Sequence, residues 1–213
     1  MTKRFALTML MAALLSAIPA AAQDAAQIAA LRKTFEEAGA TFLGLIQNLT
    51  EEQWKFKPAG AHHSAGDEAE HVALSENDLQ HVILQAMKGP VNPEASKLLA
   101  GKEKRVKEMM LNPETHAENY KPKGKLKTQP EVVEYFTRAH NYALNALQKT
   151  PELSLHVLGH PHKDYNDLTA FQWYYYIAYH TLRHCLQIEQ IMADPSFPGG
   201  PRKSSKTSTA SGK

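Results

Sequence analysis

The sequence predicts an all-α fold, a four-helix bundle with a long connection between helices 2 and 3. Three observations carry this reading. Four segments repeat apolar residues at steps of three and four, the period of one helix face. Ser or Thr followed three positions later by Asp, Glu or Gln marks four starts. The longest stretch between periodic segments, about Gly89 to Lys127, falls between the second and third. At 213 residues, 43% hydrophobic and 22% charged, the chain is long enough for one domain with a real core, and wholesale disorder is excluded.

Residues 1–22 come before the bundle. Lys3 and Arg4 head a 14-residue apolar run, Phe5–Ile18, and Ala20-Ala21-Ala22 offers small residues for cleavage. That order is a secretory signal peptide; a membrane span needs about 20 residues. It predicts cleavage near Ala22, a periplasmic or secreted location and no membrane anchor afterwards.

The first helix follows Asp24 as N-cap, with Leu31, Phe35, Ala38, Phe42, Leu45 and Leu49 as its stripe. Gly39 and Gly44 each weaken it by about 1 kcal/mol relative to Ala, which points to close helix packing. Thr50-Glu51-Glu52-Gln53 is a capping box that opens a short turn before Pro58. The second helix runs from Ser64, with Asp67 as its box partner, to about Met87. Val72, Leu79, Ile83 and Met87 share one face, and His71, Leu74, Asp78 and Val82 an adjoining one.

The long connection accommodates a short helix around 93–110. Thr128-Gln129-Pro130-Glu131 starts the third helix, with Pro in the first turn, where its missing N–H costs nothing. Its stripe is Val133, Phe136, His140, Ala143 and Leu147. Leu153 to Val157 alternates like a strand. Thr169-Ala170-Phe171-Gln172 caps the fourth helix, with Trp173, Ile177, His180, His184, Ile188 and Ile191 on one face. Residues 195–213, rich in Pro, Gly, Ser and Thr, carry four basic residues and no acid, the composition of a disordered tail. The folded domain is then 23–194.

Charge divides along the same lines. The formal net charge of +2 covers leader and tail, whereas residues 23–194 hold 18 basic and 22 acidic side chains. A mildly acidic domain excludes nucleic acid as a natural partner. The single cysteine, Cys185, excludes an intrachain disulfide. It also points about 100° away from His184 on a helix, so it is a poor metal ligand.

Eleven histidines make metal chemistry the first function to weigh. His180 and His184, four apart, stack on one helix face and can share one ion. Another i, i+4 pair, His156 and His160, lies with His162 in a Pro- and Gly-containing segment that offers a surface metal site. His180 and His184 differ in lying on an apolar seam, where a buried imidazole needs a partner. His71, beside the apolar face of the second helix, is the candidate third ligand. Hydrogen-bonded core histidines are the competing account. His62 and His63 are exposed or line a mouth, and His81, His116 and His140 have no evident partner. Tyr176 lies one turn before His180 and faces the site; Asp78, two turns after His71, is the candidate proton-transfer group. An exposed helix charge is the competing account of Asp78.

The string LTAFQWYYYIAYHTLRHCLQIEQI (168–191) resembles the last helix of the DinB-like superfamily of metal-binding four-helix bundles. LTEEQWKFKP (49–58), HSAGDEAEHVALSENDL (63–79) and YKPKGKLKTQPEVVEYF (120–136) are similar to its other segments, in matching order. The resemblance implies three His ligands, which fall on His71, His180 and His184. It departs from the family where His63-Ser64 replaces a common Trp-Ser pair, and where residues 160–164 replace an aromatic-Gly pair.

The resulting expectation is an exported protein that binds a divalent transition metal, Zn or Ni first and Fe or Cu next, through His71, His180 and His184. Three imidazoles suit those metals. The resemblance implies a metal-dependent hydrolase or a thiol S-transferase-like enzyme acting on a small-molecule substrate. The alternative is a non-enzymatic metal-binding or stress-related bundle, with a homodimer as one open assembly.

Overall fold

Four helix starts follow the Ser and Thr signals. Thr50, Ser64, Thr128 and Thr169 are N-caps, and each side chain accepts the N–H of the residue three positions on. Gln53, Asp67, Glu131 and Gln172 return the bond to the cap's own N–H. Each such cap is worth about 1 kcal/mol, so local chemistry defines where these helices begin.

The structure, a computed structural model, describes residues 20–112, 121–150, 152–159 and 167–202. Residues 1–19 of the expected leader, His116, His160, His162 and residues 203–213 of the expected tail lie outside them. In chain order the elements are α1 (Ala20–Ile46), α2 (Glu51–Lys55), α3 (Ala65–Ala86), α4 (Ala95–Leu98), α5 (Lys102–Leu111), α6 (Gln129–Lys149), β1 (Val157–Gly159), β2 (Asp167–Thr169) and α7 (Ala170–Met192). The protein is mostly helical, as expected. Its described strands form one small antiparallel pair, with Val157 opposite Thr169 and Gly159 opposite Asp167.

Four long helices dominate. α1 packs on α6 and α7, α3 packs on the same two, and α5 lies along α7. Apolar side chains gather in two clusters. One includes Leu31, Phe35, Ile83, Leu147 and Tyr174; the other includes Phe42, Ile46, Val72, Phe136 and Ile188. Along α3, α6 and α7, buried polar residues fall between the members of the two clusters: Glu76 and Gln80, His140, and His180 with His184. The connection before α6 is tied to α3 by Glu70, whose carboxylate accepts the N–H groups of Gly124, Lys125 and Leu126.

Several boundaries differ from expectation. α1 begins at Ala20, so Asp24 lies inside the helix rather than capping it. Ile46, not Leu45, takes the fully buried position at its end. The helix expected around 93–110 is two, α4 and α5, because Gly101 at φ 82° turns the chain between them. Leu153 to Leu155 form a turn, and pairing starts only at Val157.

Residues 195–202, expected to open the tail, also pack on the helices. Phe197 is 2% exposed and meets the Phe56 ring edge-on at 5.5 Å. The Pro198 carbonyl accepts from Gln53 Nε2 at 2.8 Å, and Arg202 Nη2 donates to Gln53 Oε1 at 3.0 Å. One buried aromatic and these polar ties hold 195–202 on the helices despite their Pro- and Gly-rich composition.

Candidate metal centre

His180 and His184 stand one turn apart on α7 and are 6% and 4% exposed. The Ser64 cap sets the phase of α3 so that His71, two turns in, meets them. The three Nε2 atoms converge: His71 to His180 is 3.3 Å, and His184 to His180 is 3.2 Å. One ligand atom from each residue lies within 4.8 Å of the others. Two nitrogens bound tetrahedrally to one Zn at about 2.05 Å would stand about 3.3 Å apart.

The contacts around the triad set where its protons sit. His184 Nδ1 lies 2.6 Å from Glu68 Oε2, so Nδ1 carries the proton and Nε2 presents a lone pair. Burial, and then the neighbouring His71, hold His184 well below the usual histidine range, and burial does the same for His180. His71 is pushed down to about 4, again chiefly by burial, with the Glu68 charge opposing. All three rings are therefore neutral near pH 7. A single N–H on His180 Nε2 can lie along only one of its two short contacts, the Ser75 hydroxyl is within reach of His71 Nε2, and a cation at the meeting point would take all three nitrogens.

The surroundings sort the remaining candidates. The Tyr176 ring stacks on His180 with centroids 6.1 Å apart. Ser75 Oγ lies 3.4 Å from His71 Nε2. Asp78 is not beside the triad. It faces solvent and takes Lys123 Nζ at 3.0 Å, because its place on α3 rotates it out past the packed face. His62 is exposed and His81 is exposed with Nδ1 on the Asn77 carbonyl, whereas His156 is buried. Cys185 is buried, its thiol pushed up by that burial, and stands apart from the ligand set.

Besides Glu68–His184, two further polar pairs escaped the sequence reading. Glu68 also meets His63 Nδ1 through Oε1 at 3.3 Å, and Glu76 Oε1 meets His140 Nδ1 at 2.9 Å. The signal was present: Glu68 and Glu76 occupy the face of α3 that carries Ala65, Ala69 and Val72, where a carboxylate has no water.

Fold and site together define a mostly helical protein with a tri-histidine cluster shared by two packed helices. The family model of the DinB superfamily matches residues 34–188, most of the chain including all three histidines, and the chain belongs to that superfamily. No curated protein and no solved structure matches the chain.

Proposed function

We propose that this protein is exported and holds a divalent transition metal through His71, His180 and His184, with Zn or Ni the metals that three imidazoles suit first. The four long helices α1, α3, α6 and α7 act as a four-helix bundle whose α3 and α7 carry the ligands. The observation that carries the reading is the meeting of three neutral imidazole Nε2 atoms, those of buried His180 and His184 and of half-buried His71, with the His184 tautomer set by Glu68.

Three protein ligands leave a metal position open, as in catalytic rather than structural sites. When bound, the ion supplies Lewis acidity, lowering the pKa of a bound water to about 7 or stabilising a thiolate. His71, His180 and His184 hold it from two helices. Tyr176, stacked on His180, shields one side of that ring from water. On this reading the activity is metal-dependent hydrolysis or thiol transfer on a small molecule.

One observation favours a second reading, metal holding without turnover: Asp78, the expected proton-transfer group, is at the surface with Lys123. Elemental analysis of untagged protein tests the shared part. Wild type carries about one metal per chain, while His71→Ala, His180→Ala and His184→Ala lose most of it; an unchanged metal content in all three defeats the proposal. A turnover screen with and without thiols then divides the two readings.

A further inference from the structure

We infer that Glu68, itself held by His63, is a positioning residue for the metal centre: it fixes the tautomer and ring angle of His184 and supplies the negative charge facing the ion. This rests on the metal-binding reading above. Glu68 is 4% exposed, His63 6% and His184 4%, and both carboxylate oxygens are engaged. Oε2 takes His184 Nδ1 at 2.6 Å, and Oε1 lies 3.3 Å from His63 Nδ1. The shorter bond crosses from α3 to α7. The helix that contributes His71 thus also orients His184, and the relative placement of two ligands is held by one side chain.

Charge supports the same assignment. Three neutral imidazoles bring no negative charge to a divalent cation, and a buried site lacks water to screen it. The Glu68 carboxylate stands one imidazole away from the cluster. Carboxylates placed behind a metal-binding histidine raise its basicity and hold its ring.

Position on the helix argues that the pair is more than structural. Ser64 is the N-cap of α3, so His63 and Glu68 occupy the position before the cap and the fourth helical position. Those two positions commonly carry an apolar staple that fixes the incoming chain. Here the staple is a histidine and a glutamate, both out of water. Two apolar side chains would do the structural work without the desolvation cost of a buried carboxylate.

The experiment measures metal affinity of the full-length protein by competition with a chromophoric chelator, together with the visible spectrum of the Co(II) form and unfolding of the metal-free form. Glu68→Gln keeps size and an acceptor but removes the charge. It weakens Co(II) and Zn(II) binding by about 10-fold and Glu68→Ala by up to about 100-fold, and both shift the Co(II) bands. The metal-free unfolding midpoint of Glu68→Gln stays level or rises. His63→Leu, which restores an apolar staple, weakens binding by a smaller factor, and the Glu68→Gln/His63→Leu double variant binds no more weakly than Glu68→Gln alone. Wild-type affinity and spectrum in Glu68→Gln overturn the role of Glu68, and full additivity in the double variant overturns the dependence of His63 on it. A wild-type chain that binds neither metal overturns the metal-binding reading itself.

Discussion

His140 Nδ1 on α6 lies 2.9 Å from Glu76 Oε1 on α3, and the His140 ring is sandwiched between Phe35 and Phe136 at 4.8 and 5.1 Å. Burial raises the Glu76 carboxyl above its ordinary range, opposed by His140 and by the Thr181 hydroxyl on α7. Removing one partner strands the other. Glu76→Ala is expected to cost about 2–3 kcal/mol, the desolvation of an unpaired buried group, and Glu76→Gln less. Urea unfolding checks the order, and an Ala variant as stable as wild type would show that the pair contributes nothing.

Gly39 and Gly44 lie in the same helix, yet substitution has opposite signs. A Cβ on Gly39 would collide with the trapped His140 ring, whereas one on Gly44 meets nothing within 4 Å. Gly39→Ala should destabilise by about 1–3 kcal/mol through overpacking. Gly44→Ala should stabilise by about 0.5–1 kcal/mol, because Ala loses less backbone freedom in a helix. Thermal unfolding of both variants decides; equal shifts would contradict the packing at Gly39.

The metal-free protein should lose stability as pH falls below about 6.5. In the unfolded chain the three triad histidines take up protons near that value. In the folded chain His71 stays neutral down to about 4, and burial holds His180 and His184 well below the usual histidine range. The unfolded state therefore binds more protons across that window, and acid favours it. His71 alone accounts for up to about 3 kcal/mol by pH 4. Chelator-treated protein followed between pH 8 and 4 provides the measurement, and a shallower slope is expected in His180→Ala. A midpoint rising from pH 7 to 5 would contradict it.

Phe197 anchors residues 195–202 on the helices. At 2% exposure against Phe56, its truncation to Ala should cost about 3 kcal/mol. Neighbouring Ser196, exposed, should tolerate Ala within about 0.5 kcal/mol. Equal, small effects in chemical denaturation would return 195–202 to tail status.

What could be read from residues alone was what depends on neighbours three or four positions away. The four capping boxes, the buried stripe of α7 and the His180–His184 pair are of this kind, since a helix cap and a helix face are closed within one segment. His71 stood out because it borders a stripe. Asp78 was misplaced for the same reason: periodicity puts it near a face but does not say how far that face is covered.

The amino-acid order by itself therefore determined that the chain is helical, where the capped helices begin, and which histidines share a face. Only the tertiary structure decided that Glu68 backs His184, that Glu76 holds His140 against Gly39, that Asp78 faces solvent and that Phe197 packs on Phe56. The Glu76–His140, Glu68–His184 and Phe56–Phe197 contacts join residues 64 to 141 positions apart, and they depend on how the helices lie against one another. A hydrogen-bond pattern within one turn is local chemistry; partners across helices are chosen by packing, which no single segment encodes.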